Sequence, residues 1–446
     1  MLNFLKKKND EAPAAPKAAA APKAAAPKAA ESQEDAAKKA ERKAQREEHI
    51  QSVMAKTGWS HGVAFGKMKE AKETFGVKYS EYDRYDFHTI PEREQGLAHI
   101  RISCRLEQEK ELARLKKKED AAVENEEAIL HVMDKTGWSR EATIEKIEAS
   151  RKCTGCAYKE YFLYHFYELT PEQQAQTFLM HDSRKLSSKY DVDRKFVKIL
   201  CNKAMTDQFF GDFLRRPWCD NTKISLEEFT EKFADSKRVI YKPLDGNRGK
   251  GVEAFDVNRE NAREVYDQLV AYPQGVVEEY VVQHPDMSAM CPSSVNTIRI
   301  VTLSSNKETV GTTGKHMDVA YAALRIGGGG SIVDNFHSGG MVAAVDLETG
   351  ELVTDAADME DHVFANHPAT GTKIKGFKIP YFKEALELVQ SAWEMSRIEG
   401  YLGWDVAITE KGPVLIEINL RPGVVLLSMP YASEKKGMRH VMSKYL

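Results

Sequence analysis

The residues best suited to chemistry fall in two clusters. In GYLGWDVAITEKGPVLIEINLRPG, Gly400 to Gly423, Asp405 and Glu417 stand on two β-type runs separated by a turn at Glu410 to Pro413. Asn419 follows Glu417 by two, and strand periodicity sets both on one side of one strand. Two carboxylates and an amide oxygen form a hard donor set of the kind Mg²⁺ takes, particularly when phosphate oxygens complete an octahedron. The alternative is a hairpin with ordinary polar residues, but an acid inside the apolar run VLIEINL is costly unless it is paired or coordinated.

The second cluster is RVIYKPLDGNRGKGV, Arg238 to Val252, where a β-rich run carries Lys242 into a loop containing Gly246, Gly249 and Gly251. Such a loop lets backbone N–H groups approach phosphates, and the lysine supplies a point charge to the same oxygens. It lacks the Gly-Lys-Ser/Thr ending of a P-loop, and it is not the GxGxxG of a dinucleotide fold.

The elements that must position these groups lie in residues 190–446. There, short β-rich runs (RVIYKPL, VVEEYVV, NTIRIVTL, MVAAVDL, GPVLIEINL) alternate with helical stretches at Asp193 to Phe213, Arg259 to Ala271 and Tyr381 to Arg397. Mixed strands and helices with antiparallel hairpins indicate an α+β domain.

The preceding half reads as helical and duplicated. VMAKTGWS at Val53 to Ser60 returns as VMDKTGWS at Val132 to Ser139, and Gly76, Tyr79, Glu81, Tyr82, Tyr85 and Phe87 recur at the same offset as Gly155, Tyr158, Glu160, Tyr161, Tyr164 and Phe166. Each copy, 35–91 and 131–189, is expected to form a helical hairpin with an aromatic seam, opened by a Ser N-cap after Gly-Trp. The stretch 92–130 between them carries dense mixed-sign charge and reads as a solvated helix. Residues 1–34 are dominated by Ala, Pro and Lys and read as a disordered tail without a core.

Composition excludes several classes. Lys and Arg total 64 against 67 for Asp and Glu, a net charge of −3, which gives no global field for nucleic acid. Six cysteines are too sparse for a disulfide framework. No apolar run is long enough to span a bilayer, and the start of the chain matches neither a secretory signal nor a myristoylation site. The expectation is a cytoplasmic protein. The CxxC at Cys153 and Cys156 lacks a second ligand pair, so a structural role is expected, as it is for His284, His316 and His337. The GGGG at Gly327 to Gly330 reads as a turn.

The two clusters, in this order, resemble the ATP-grasp ligase superfamily. From about Tyr158 onward the chain is similar to the sugar-transfer-associated ATP-grasp family, related to the glutamate-ligase branch. The resemblance implies ATP between two α+β subdomains, with Lys203 in NKAMTDQFF and Lys242 as the two nucleotide lysines and Asp245 to Gly251 as a loop over the phosphates. VVEEYVV is similar to the hinge that reads adenine, with Glu278, Glu279, Tyr280 and Val281 as contacts. The resemblance further implies that Arg299 and Arg325 engage the transferring phosphoryl group and a substrate carboxylate, that Asn335 approaches the nucleotide, and that Asp405, Glu417 and Asn419 hold one or two Mg²⁺ ions, with Mn²⁺ as a substitute. Asn296 and Arg421 are expected to touch substrate; Arg421 stands where many relatives carry a small residue. The duplicated module exceeds what the superfamily fold needs.

The activity implied is an ADP-producing carboxylate–amine ligase acting through an acylphosphate. Its setting would be the modification of a sugar-derived or peptide substrate in surface polysaccharide synthesis, with the repeats as a docking site for a protein or acceptor. The alternative is a nucleotide-binding scaffold or an ATP-grasp-type kinase.

Overall fold

The two copies of the repeat fold through the same local hydrogen bonds. The structure, a computed structural model, describes residues 33–244, 250–328 and 339–446. Gln33 and Glu34, read as tail, begin α1; residues 1–32 lie outside the described residues. The first copy comprises α1 (Gln33–Thr57), α2 (His61–Phe75), α3 (Tyr79–Arg84) and the start of α4 (Glu92–Thr136); the second comprises the end of α4, α5 (Arg140–Thr154), α6 (Tyr158–Leu163) and α7 (Pro171–Ala175).

In each copy a threonine at the helix end bonds back to its own turn, Thr57 to Val53 and Thr136 to Val132, and accepts the N–H of the following tryptophan. Gly76 and Gly155 end α2 and α5 with φ +78°, a left-handed conformation that costs glycine least. Buried Gln95 and Gln174 each donate to two carbonyls of the aromatic turn, at Phe87 and Ile90 and at Phe166 and Leu169. The Ser caps differ: Ser139 accepts from the Ala142 N–H, whereas Ser60 occupies the cap position without a side-chain bond. The aromatics at the shared positions, Tyr82 and Phe87 and then Tyr161 and Phe166, are core.

The chain divides into two compact units, Met1–Lys118 and Glu119–Leu446. In the first unit Ile50, Val53, Met68, Tyr82 and Phe87 form a core of their own. The charged stretch read as 92–130 is part of the single helix α4, which runs on to Thr136 because Ala128, Ile129 and Val132 give its last turns a buried face in the second copy.

The second unit continues with α8 (Met180–Lys189), α9 (Arg194–Leu200) and α10 (Lys203–Phe209), then two antiparallel sheets. The helical stretch expected at Asp193 to Phe213 is broken at Asn202, whose side chain accepts from Met205 N–H and starts α10 afresh. The smaller sheet has the order β1-β4-β2-β3, with β1 (Trp218–Asp220), β2 (Arg238–Pro243), β3 (Glu253–Asp256) and β4 (Gly275–Glu279). One face buries Val239, Tyr241 and Val277 under the helices Leu226–Phe233 and Ala262–Val270. The larger sheet runs β11-β10-β5-β6-β7-β8-β9, with β5 (Thr297–Ser304), β6 (Met317–Ile326), β7 (Met341–Val345), β8 (Ala356–Ala357), β9 (Val363–Phe364), β10 (Gly400–Thr409) and β11 (Gly412–Leu420).

The faces of the larger sheet have different uses. Ile298, Leu324, Ala343, Trp404 and Val406 pack with Ala385, Val389 and Trp393 of the helix Phe382–Ser396. On the opposite face the second repeat copy packs Tyr161, Phe162 and Leu163 in one cluster with Ala323, Val342 and Ala357. Arg299 pairs directly with Ala323 across β5 and β6, and Arg325 with Val342 across β6 and β7, so the second copy shares a sheet face with both arginines. Among the described residues no helix is long and apolar enough to cross a membrane.

The copies diverge where the second one docks. Phe162 and Leu163 stand where the first copy has Asp83 and Arg84, and Phe162 is 4% exposed and stacks on His131 at 4.7 Å. Phe162→Asp is expected to cost at least about 3 kcal/mol, from lost burial and a carboxylate driven into an apolar contact. Urea unfolding monitored by tryptophan fluorescence checks this; an unchanged midpoint would show that the second copy is not docked through this ring.

Candidate active site

Strand pairing assembles one polar row across four strands. Asp405 on β10 is directly opposite Glu417 on β11 and Arg299 on β5, and Arg325 on β6 pairs with Thr297, two residues from Arg299. Directly opposed residues share a face, so the row points one way. Asp405 is 1% exposed and is gripped by both guanidiniums: Arg299 Nε donates to Oδ1, while Arg299 Nη2 and Arg325 Nη1 donate to Oδ2 at 2.9 and 2.7 Å. Burial alone would raise the Asp405 pKa, but the charges of Arg299 and Arg325 outweigh it and hold the carboxylate below its ordinary value. The same attraction overcomes burial at Arg299 and raises its pKa.

Two local features make room for this packing. Gly403 has no side chain, and a Cβ there would lie 2.8 Å from Arg299 Cδ. A register shift between Asp405 and Val406 leaves Ile416 as the extra residue on β11, so the pairing steps from Leu415 to Glu417.

The expectation that Glu417 is buried does not hold, because it is exposed on the edge strand β11. The apolar side chains of VLIEINL serve the opposite face and the flanks, and Glu417 shares the open face with Asn419. The Asn419 amide donates to Asp405 Oδ2 at 3.2 Å and to Glu417 Oε1 at 3.0 Å.

These residues fit a hard divalent cation in chemical type: each side chain carries an oxygen donor, and Asp405 and Glu417 are directly opposed across β10 and β11. Glu417 and Asn419 form the open side of the set, while Asp405 is already engaged by the arginines. Among the described residues no group of three or more His, Cys, Asp or Glu is placed to hold a metal ion.

A second polar cluster lies on the smaller sheet. Lys242 Nζ donates to Glu278 Oε1 at 2.6 Å, and Arg216 Nε donates to Glu278 Oε2 at 2.6 Å. Burial would raise the Glu278 pKa, but Arg216 and then Lys242 pull it down. Arg216 also donates to the Leu415 carbonyl of β11 at 2.6 Å, tying the entry to the smaller sheet to the larger one. Lys203, at the start of α10, donates to the carbonyls of Pro243 and Leu244. Burial lowers its pKa, opposed chiefly by the negative charge of Glu417, so Lys203 is within electrostatic reach of both clusters.

The other expected site residues divide as follows. Gly246, Gly249, Asn335 and His337 lie outside the described residues, as does most of the Asp245 to Gly251 loop. Gly251 is described, with φ +72°. Strand pairing of β4 stops at Glu279, and Glu279, Tyr280 and Val281 are partly exposed where the chain leaves the sheet. Arg421 is exposed at φ +53°, just beyond β11.

Asn296 cannot serve as a substrate contact in this arrangement. It is wholly buried, its amide donates to Gln283 Oε1 and to the Met287 and Cys291 carbonyls, and its oxygen accepts Gly327 N–H, so its bonding capacity is spent on the fold. His284 caps the helix Pro285–Met290 by accepting Asp286 N–H, and His316 bonds the carbonyls of Ser305 and Glu308. Cys153 and Cys156 are free thiols. The functional candidates not found from sequence are Arg216, Asp207 and Gly403. Only Gly403 had a local signal, a glycine inside a strand run.

A family model described as sugar-transfer associated ATP-grasp matches residues 183–444. No curated protein sequence matches the chain. Among solved structures, an N5-carboxyaminoimidazole synthetase from Staphylococcus aureus with ADP is similar at 13% identity and a TM-score of 0.33, covering 54% of this chain and 51% of that one. A D-alanine–D-alanine ligase from Bacillus anthracis with ATP matches at 10% identity and 0.32, covering 59% and 71%. The ATP-grasp ligase PsnB with its precursor peptide and AMPPNP matches at 11% and 0.29, covering 58% and 61%. The chain thus spans about half the length of the carboxyaminoimidazole synthetases it matches.

The different burial of the two acids separates their roles. Asp405→Asn strips a charge from between two guanidiniums and is expected to destabilise the protein by about 3–5 kcal/mol, whereas Glu417→Gln on the open edge should stay within about 0.5 kcal/mol. Because the Asp405 pKa is depressed, the stability it contributes is present above the ordinary carboxylate value and is lost as the pH falls through the depressed one. Denaturant melts of both variants at neutral pH test the contrast; equal stability would contradict the buried ion network.

Proposed function

The chain belongs to the sugar-transfer associated ATP-grasp family, and from that premise we propose that it is an ADP-producing ligase joining a carboxylate to an amine through an acylphosphate. The observation that carries this reading is the pairing of two polar clusters on separate sheets, joined by Arg216, which donates to Glu278 on one and to the Leu415 carbonyl on the other. Cations on both sheets suit a polyanion such as a polyphosphate chain.

In this reading Lys203 and Lys242 take the phosphates, and the partly exposed Glu279, Tyr280 and Val281 border the base. Arg299 and Arg325, fixed in place by Asp405, face the transferring phosphoryl group and the substrate carboxylate. A carboxylate oxygen attacks the γ-phosphorus, and the bond to the β–γ bridging oxygen breaks to release ADP. The amine then attacks the acyl carbon, phosphate leaves, and the amine proton passes to solvent or to the phosphate. Glu417 and Asn419, with Asp405, would hold Mg²⁺ or Mn²⁺, which when bound neutralises charge on the β- and γ-phosphates. The chain's own contribution is preorganised charge: the guanidiniums are already desolvated and oriented, so little reorganisation is needed at transfer.

The family's description as sugar-transfer associated supports a sugar-derived or peptide substrate in surface polysaccharide synthesis. Exposed free thiols at Cys104, Cys153 and Cys201 suit a reducing cytoplasm. Arg421, exposed beside the open face, suits an anionic acceptor group.

ADP release over pooled carboxylates and amines tests the activity. A ligase needs both pools for sustained turnover, and a kinase needs one. Glu417→Gln and Asn419→Ala are expected to abolish turnover in folded protein, and wild-type rates in dilute Mg²⁺ would exclude the metal role. Lys242→Ala should raise KM for ATP and lower kcat together.

We assign the first repeat copy to acceptor docking, since it has a core of its own within the unit Met1–Lys118. Deleting residues 1–118 should then preserve ADP release with a small amine and weaken use of a large acceptor. Equal loss with both, in a truncated protein shown to be folded by circular dichroism, would place the first copy in the catalytic body instead.

A further inference from the structure

Among the described residues of the smaller-sheet cluster, Asp207 is an acid with a buried carboxylate oxygen left out of the pairing. It lies one turn after Lys203 on α10, at the i+4 position that shares a helix face. The residue is 4% exposed, and its buried Oδ2 has no hydrogen-bond partner among the described residues. The groups that act on it are Lys203 from its own helix, Lys242 from β2, Glu278 from β4 and Arg216 from the segment before β1; Glu417 on β11 acts on Lys203. Glu278 already takes the hydrogen bonds of both Arg216 and Lys242.

A buried carboxylate without a partner is costly, and an amide or apolar side chain would avoid the penalty. Such groups gather where protonation is used. We propose that Asp207 couples nucleotide binding to the uptake of one proton, acting as a positioning residue that sets the charge available at Lys203 and Lys242. The inference rests on the reading of this cluster as the phosphate side of an ATP site.

The sign follows from the charges. With Asp207 protonated, the three cations face Glu278, and Glu417 acts on Lys203; with Asp207 ionised they face one acid more, and the attraction for a polyanion falls. Burial, and then the charge of Glu278, push the Asp207 pKa up to about 7. A bound polyphosphate adds negative charge nearby and raises it further, so binding above that pH draws a proton from solvent. By linkage, affinity for the nucleotide weakens as the pH rises past 7.

The test is isothermal titration of the full chain with MgADP between pH 7 and 8.5, in buffer pairs of different ionisation enthalpy. Wild-type protein is expected to take up close to one proton per nucleotide at the upper end, with Kd rising about tenfold across the range. Asp207→Asn should bind with a nearly constant Kd and lose that uptake, a change that a purely structural role would not produce. Asp207→Ser serves as a second variant, and circular dichroism checks the fold of both. Proton uptake in either folded variant equal to wild type overturns the assignment. Wild-type protein that binds MgADP with no proton uptake also overturns it, while leaving the ATP site standing. A wild-type protein that binds no MgADP at any pH overturns the ATP reading itself.

Discussion

A carboxylate that is 1% exposed and held between two guanidiniums is the constraint around which the larger sheet is organised. Asp405 is stable as an ion only because Arg299 reaches it from the adjacent strand β5 and Arg325 from β6, one strand further, and they reach it only in one register. Slipping β5 or β10 by one residue would turn Arg299 or Asp405 into the apolar layer of Trp404 and Ile298. Gly403 is part of the same constraint, since any side chain there collides with Arg299. The price of burying these charges is recovered in preorganisation: two cations are fixed on a face where Glu417 and Asn419 remain open.

The smaller sheet repeats the device with different residues. Glu278 is buried and held by Lys242 and Arg216, and Arg216 reaches across to β11. Each sheet therefore carries a buried acid whose partners include the cations proposed to meet substrate. Arg216 is one mechanical link between them, so the separation of the two clusters depends partly on one side chain bonded to the Leu415 carbonyl.

The parts legible in the sequence were those carried by local pattern. The repeat, the helical first half, the β-runs and the Asp405, Glu417 and Asn419 spacing all depend on periodicity or near neighbours. What stayed hidden depended on long-range pairing. Asn296 was expected to touch substrate, but its amide is bonded to groups up to 31 positions away along the chain. Glu417 read as buried because VLIEINL is apolar, whereas β11 is the edge of its sheet and the strand's alternation leaves that residue exposed. Arg216 sits in a segment without any motif, and Asp207 lies inside NKAMTDQFF, where only Lys203 had a reason to be singled out; the packing of α10 and the segment before β1 against β4 shows what surrounds them. The repeats teach the same lesson: Gln95 and Gln174 hold equivalent turns, while Asp83 in place of Phe162 marks the face on which the copies part company.

The most direct measurement of the central claim follows oxygen rather than nucleotide. With a carboxylate that supports ADP release labelled with ¹⁸O in both oxygens, an acylphosphate route transfers one labelled oxygen to each inorganic phosphate, because the carboxylate oxygen that attacked the γ-phosphorus leaves with it. Mass spectrometry of the released phosphate is expected to show one ¹⁸O per turnover in the presence of the amine. Unlabelled phosphate, formed at the same rate as ADP, would contradict the proposed reaction and with it the roles given to Arg299 and Arg325.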